Sequence, residues 1–284
     1  MDARVIRHES EHDRWEFVER RPPPRLRGHV LDYVAYDERT TSFLTRLETP
    51  SKRVPLILNL GPTLEVSGPA YARPWRTPEL GFFASLHDSH ALVRSPGHQR
   101  GIEVNLTPLG AHRLLGVPMH ETTSRPVELE WVLGREGVDL VERLREARGW
   151  SESFELLDRF LVRRLDRSAA SPELTWAWNV LDRSAGRVEV RAIARELGWS
   201  HRRLIARFRE GVGLPPKLMA RILRFDRATG LVRAGTRMGW AELAADCGYY
   251  DQAHLIRDFR RFAGSTPAEY AARVAPGGAG VIGD

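Results

Sequence analysis

Two short runs near the C-terminal end of this 284-residue chain hold side chains suited to reading a patterned polyanion. The first offers His201, Arg202, Arg203, Ile205, Ala206 and Arg209. The second offers Gln252, Ala253, His254, Ile256, Arg257, Arg260 and Arg261. An arginine fork bridges O6 and N7 of guanine, a glutamine amide pairs with N6 and N7 of adenine, and Ile or Ala meets a thymine methyl. Arg209, Arg260 and Arg261 suit phosphate oxygens, which position a protein without reading sequence. Each residue also has an ordinary role on a solvated helix surface, and His254 could be a neutral packing residue. What surrounds the runs must decide between these.

The surroundings repeat. Ile193-Ala194-Arg195-Glu196-Leu197-Gly198-Trp199 aligns with Leu243-Ala244-Ala245-Asp246-Cys247-Gly248-Tyr249, 50 residues later. After a one-residue insertion the match resumes at an offset of 51, pairing Leu204 with Leu255, Phe208 with Phe259, Gly213 with Gly264 and Pro216 with Pro267. Each copy predicts a helix with a buried stripe. A Gly then takes the left-handed conformation that ends the helix. An aromatic plugs the corner, and Ser200 or Asp251 caps a second helix. That second helix buries Leu204 and Phe208, or Leu255 and Phe259, and leaves its other face free. This is a helix-turn-helix pattern, whose second helix enters a major groove. Pro215-Pro216 opens a further helix through about Val232 that would join the copies. Cys247 falls on a stripe with Trp240, Leu243 and Ala244, which reads as core rather than as a reactive thiol. Leu174, Ala177, Trp178 and Leu181 form another stripe at the start of this all-helical part.

Charge follows the same division. From Pro172 onward there are 17 Arg and 1 Lys against 12 Asp and Glu, while the residues before it balance, so the whole net charge of +6 lies in this part. A basic part of this kind is the footprint expected for phosphate.

The second copy, Ala244-Ala245-Asp246-Cys247-Gly248-Tyr249-Tyr250-Asp251-Gln252-Ala253-His254-Leu255-Ile256-Arg257-Asp258-Phe259-Arg260-Arg261-Phe262-Ala263-Gly264-Ser265-Thr266-Pro267-Ala268-Glu269-Tyr270, resembles the signature of the AraC/XylS family of bacterial transcriptional regulators. Its close has its own physical sense, with Thr266 capping a helix, Pro267 in the first turn and Glu269 completing a capping box. The chain departs from the family at Tyr249, usually Phe, and at Ala206, where some members place a long polar residue. The resemblance covers about Leu174 to Arg273. It implies activation or repression of transcription, double-stranded DNA as partner, a homodimer, and room for RNA polymerase and a small-molecule effector as further partners.

The N-terminal part is less pointed. Residues 1–28, with Pro22-Pro23-Pro24, read as an arm or loop. Residues 29–106 read as short strands at Phe43–Leu47, Pro55–Leu60, Leu64–Val66, Phe82–Leu86, Ala91–Arg94 and Ile102–Leu106, a pattern of sandwiches and barrels. Helical stripes follow at Val138, Val141, Leu144 and Arg145 and at Phe154, Leu157, Leu161 and Leu165, the latter capped by Ser151 with Glu152 in its first turn. Residues 167–172 read as a linker and 276–284 as a disordered tail. The strand pattern is similar to the family's cupin-like sensors, and the helices to its dimerisation region. The expected fold is therefore an α+β multidomain chain. A cupin-like β-barrel with helices (1–166) precedes an all-α domain (172–275) with two tandem helix-turn-helix motifs joined by a linker helix.

No nucleophile elbow, phosphate loop or zinc motif precedes residue 172, so no catalytic residue, cofactor or metal is expected. His87, Asp88, His90 and His98 read as a surface loop or, less simply, as metal ligands. One cysteine allows no intrachain disulfide, no apolar run approaches the roughly 20 residues of a membrane span, and the first residues show no secretory signal. A cytoplasmic location is expected. The alternatives left open are a non-specific architectural DNA binder and an enzyme domain fused to DNA-binding modules.

Overall fold

The computed structural model describes residues 3–11, 13–41, 44–165, 171–274 and 281–283. Its N-terminal part is two antiparallel sheets. The larger has seven strands in the order β1 (Ala3–Glu9), β2 (Arg14–Arg20), β3 (Val30–Arg39), β10 (His98–Leu106), β5 (Val54–Asn59), β8 (Gly81–Ala84) and β11 (Pro126–Glu128). The smaller runs β4 (Leu44–Glu48), β9 (Ala91–Ser95), β6 (Glu65–Ser67) and β7 (Trp75–Arg76). They remain two sheets and do not close into the expected cupin-like barrel.

Cross-strand rows explain the layering. On one face of the large sheet Ala35, Ile102 and Leu58 stand side by side, and next to them Tyr33, Val104 and Leu56. All six are fully buried. Side chains alternate along a strand, so Gly101, Glu103 and Asn105 take the other face. Helix α4 (Trp150–Leu165) covers the apolar face. Phe154 stacks on Tyr33 with centroids 5.7 Å apart, and the Tyr33 hydroxyl donates to Asp158 at 2.8 Å. Arg20 pairs with the same carboxylate. Phe154, Leu157, Leu161 and Leu165 are all buried, each stabilising by about 1.5–3 kcal/mol. The polar face turns toward the small sheet. There Arg46 of β4 grips Glu38 at 2.7 and 2.9 Å, and Gln99 donates to the same carboxylate. Burial, with Glu48 nearby, pushes the Glu103 carboxyl up to about 7.

Several expectations need correction. Residues 3–9 and 14–20 are not a loop but the strands β1 and β2, paired over seven positions from Ala3↔Arg20 to Glu9↔Arg14. Arg4, Arg7 and Glu9 lie on the exposed edge strand β1, where polar side chains keep other chains off. Strand β3 was missed because Asp32, Asp37 and Glu38 interrupt its alternation, yet it pairs with both β2 and β10. Strand β4 begins at Leu44, and Phe43 lies outside the described residues. In α3 (Arg135–Glu146) the buried stripe is Gly137, Leu140, Val141 and Leu144; Arg145 is exposed and donates to the Glu79 carbonyl at 3.1 Å. Ser151 does not cap α4, which starts one residue earlier; Glu152 instead accepts from the Arg148 N–H at 2.9 Å. Helices α1 (Pro108–Leu115) and α2 (Leu129–Leu133) were also missed. The linker reading falls largely on 166–170, outside the described residues.

The C-terminal part is helical: α5 (Pro172–Arg183), α6 (Val190–Glu196), α7 (His201–Gly211), α8 (Pro216–Arg233), α9 (Trp240–Asp246), α10 (Gln252–Ala263) and α11 (Pro267–Ala272). Residues 281–283 do not follow the disordered-tail reading. Val281 is buried, and its carbonyl accepts from the Leu47 N–H of β4 at 2.7 Å. Among the described residues no helix is long and apolar enough to cross a membrane.

Candidate nucleic-acid interface

Helices α6 and α7 form one pair, α9 and α10 another. In the first, Ile193 and Ala194 are buried, Gly198 turns the chain at φ +62°, and the Ser200 side chain accepts from the Arg203 N–H at 3.2 Å. In the second, Leu243, Ala244 and Cys247 are buried, Gly248 turns at φ +78°, and Asp251 accepts from the His254 N–H at 2.7 Å. The left-handed turn costs a residue with a Cβ about 1–2 kcal/mol, so Gly is the inexpensive choice at both corners. Leu204 and Phe208, and equally Leu255 and Phe259, have no exposed surface. Thr266 and Glu269 complete the expected capping box at α11.

Helix α8 holds the assembly together in a way the sequence reading missed. Its arginines recur every third residue, and each reaches a different element. Arg221 pairs with Asp258 of α10 at 2.6 Å, Arg224 donates to the Gly186 carbonyl at 2.7 Å, and Arg227 pairs with Asp246 of α9 at 2.8 Å. The spacing Arg-x-x-Arg-x-x-Arg on a helix otherwise rich in buried residues was the available signal. Phe225 packs on Phe259 and Phe262 at 5.0 and 5.2 Å, and Phe259 on Tyr270 at 5.6 Å, closing the core beneath α10.

The candidate reading residues fall into two groups. On α7, His201, Arg202, Arg203, Ala206 and Arg209 are exposed and Ile205 is half-buried. On α10, Gln252, Ala253, Arg257, Arg260 and Arg261 are exposed, while His254 and Ile256 are half-buried. Arg202, Arg209, Arg257 and Arg260 make no ion pair with a described carboxylate. The others are committed. The Arg203 guanidinium lies 4.8 Å from the centre of the Trp199 ring, a cation–π contact. His254 sits edge-on to Tyr249 at 5.1 Å, which is the packing role. Arg261 pairs with Asp88 of the N-terminal part at 2.7 Å.

That pair belongs to a wider junction between the two parts. Lys52 pairs with Asp182 at 2.9 Å beside a cleft of about 230 Å³ lined also by Leu223, Asp226 and Arg227. Thr123 donates to the Gly213 carbonyl at 3.1 Å. The four residues weighed as metal ligands disperse. His87 bonds the Ser89 carbonyl, Asp88 holds Arg261, His90 lies against Gly264, and His98 faces Asp37 at 3.8 Å. Among the described residues no group of three or more His, Cys, Asp or Glu could hold a metal ion.

Residues 193–273 match the family model described as a helix-turn-helix domain. Over 73 residues the chain is 37% identical to the "F1 operon positive regulatory protein" of Yersinia pestis. The match takes in 26% of this chain and 24% of that protein, so the chain spans about a quarter of that relative's length. Residues 193–273 thus carry a helix-turn-helix domain, and with the duplicated pattern this part of the chain is similar to AraC/XylS family regulators. Among solved structures, unsaturated fatty acid bound ToxT from Vibrio cholerae overlays 82% of this chain and 96% of its own at TM-score 0.45 and 13% identity. The xylose-binding transcription activator XylR overlays 49% and 38% at TM-score 0.32 and 20% identity.

Proposed function

We infer that the chain is a sequence-specific DNA-binding transcription regulator with a DNA-reading domain at 172–275. In this reading α6–α7 and α9–α10 are tandem helix-turn-helix motifs, and α7 and α10 enter neighbouring stretches of one major groove face. One observation carries it. Two independently capped second helices present free Arg and Gln side chains on faces that differ from each other, and a third helix ties both pairs together. Helix α8, with 18 residues, spans roughly 27 Å at 1.5 Å per residue, close to the roughly 34 Å between successive major-groove faces. Differing faces suit sequence reading better than architectural binding.

His201, Arg202, Ile205, Gln252, Ala253, Ile256 and Arg257 face the bases in this reading, and Arg209 and Arg260 the phosphates. Residues 1–166 serve as a sensor and dimerisation domain. A small-molecule effector bound by this domain belongs to the same reading. The homodimer and contact with RNA polymerase belong to the same reading.

The test is selection of bound duplexes from a random DNA pool by the full chain. A single enriched asymmetric site with two half-elements about one helical turn apart is expected. A pool that stays random at moderate salt, with binding that depends only on charge, would overturn sequence reading in favour of an architectural binder.

A further inference from the structure

Residues 281–283 form a short strand against β4, the edge of the small sheet. The Leu47 N–H donates to the Val281 carbonyl at 2.7 Å, and the Gly283 N–H donates to the Thr45 carbonyl at 3.0 Å. On the strand's other side Ile282 donates to the Arg273 carbonyl at 2.9 Å, so it lies between β4 and the end of α11. Val281 is buried, and a Cβ on Gly283 would come within 2.8 Å of both Leu92 and Thr45. The seat is thus a fitted one.

Because Glu48 pairs with Ala91, the loop 87–90 emerges at the end of the same edge. There Asp88 holds Arg261, the His90 ring lies against Gly264 at the end of α10, and Tyr270 meets Thr49. The contacts form one continuous face, and all of them reach the second helix pair and the chain that follows it.

We propose that the β4 edge and loop 87–90 are a docking surface for the chain's own C-terminal module, that Val281–Gly283 is the strap that latches it, and that DNA competes with this docking. This rests on the DNA-reading role given above. An added strand on a sheet edge gains main-chain hydrogen bonds in register, so the strap binds through its backbone and is held by the small residue at 283. The competition is electrostatic. Arg261 stands at the C-terminal end of α10, where an arginine contacts phosphate rather than bases. The Asp88 carboxylate occupies the side of the guanidinium that a phosphate would take, and two anions at that distance repel. The docked chain therefore withholds Arg261, and the DNA-bound chain releases it. A ligand that binds one of two states better shifts the population toward that state.

The experiment uses the full chain with a duplex from the selection described above. Amide exchange is followed at Leu47 and Gly283, and DNA affinity is compared at one salt concentration among the parent, Asp88→Asn and Gly283→Val. Saturating DNA is expected to raise exchange at Leu47 at least tenfold. Each variant is expected to bind about threefold tighter, because Asp88→Asn weakens the docked state by roughly one exposed ion pair and Gly283→Val crowds Leu92 and Thr45 in the strap's seat. Specific binding with Leu47 still protected would overturn the proposal alone, as would variants that bind no tighter than the parent. Absence of specific binding by all three, with Leu47 protected, would overturn the DNA-reading role and this proposal with it.

Discussion

Arg221 reaches from α8 to Asp258 of α10 at 2.6 Å, and the aspartate side chain is 1% exposed. A long joining helix thereby grips a helix whose outer face carries Gln252, Arg257 and Arg260. The guanidinium also lies 5.3 Å from the Phe262 ring, which fixes its direction.

Removing one partner strands a buried charge. Arg221→Met should lower stability by about 3 kcal/mol, measured as a shift in denaturant midpoint with unchanged slope. The double variant Arg221→Met with Asp258→Leu should recover most of that loss. A double variant no more stable than the single one would show that the pair is not coupled.

Base readers and phosphate binders should separate by salt. Arg202→Ala and Gln252→Ala should each lose about 1–3 kcal/mol of discrimination at one position of the selected site, with the salt slope retained. Arg209→Ala and Arg260→Ala should weaken binding to all sequences alike and reduce the salt slope by about 1. Titrations of matched and mismatched duplexes at several salt concentrations decide this. An Arg202→Ala protein with unchanged base preference would remove that residue from the reading face.

The two corner glycines should differ. Both hold positive φ, so an Ala at either is strained by about 1–2 kcal/mol. At Gly198 a Cβ meets nothing within 4 Å. At Gly248 it would come within 2.6 Å of Arg187 Cγ and 2.9 Å of its Cδ. Gly248→Ala should therefore lower the melting temperature more than Gly198→Ala. Equal losses would mean that the Arg187 side chain moves aside freely.

Glu103 should make stability depend on pH. Its carboxyl is pushed up to about 7 from an ordinary 4.5, chiefly by burial. The folded chain then holds a proton that the unfolded chain has released, so this contribution is fully present below 4.5 and lost as pH rises through about 7. Glu103→Gln should flatten the fall in melting temperature between pH 5 and pH 8. Parallel curves for parent and variant would sink the assignment.

The C-terminal helices were legible because their signals are local. A Gly at the corner, a capping Ser or Asp, and stripes at i, i+3, i+4 and i+7 act within a few residues of one another. Leu174, Ala177, Trp178 and Leu181 are all buried as read, and Cys247 is core. The duplicated pattern marked the candidate site for the same reason, since a repeat needs no partner from elsewhere in the chain. The β-part was legible only as short strands. Nothing near Asp32 or Glu38 announces that β3 will lie between β2 and β10, because that pairing depends on side chains some 70 residues away.

The amino-acid sequence by itself thus determined the two helix pairs and the residues on their outer faces. Tertiary structure alone decided which of those residues are free. Arg203 lies on Trp199, His254 packs on Tyr249, and Arg261 is taken by Asp88. It also decided that the sheets stay open, and that Val281–Gly283 pair with β4 instead of trailing away. For the Asp88–Arg261 pair, the open sheets and the pairing on β4 the reason is the same. Helical period and capping are written into neighbouring residues, whereas strand register and ion pairing across a junction exist only once distant segments have met.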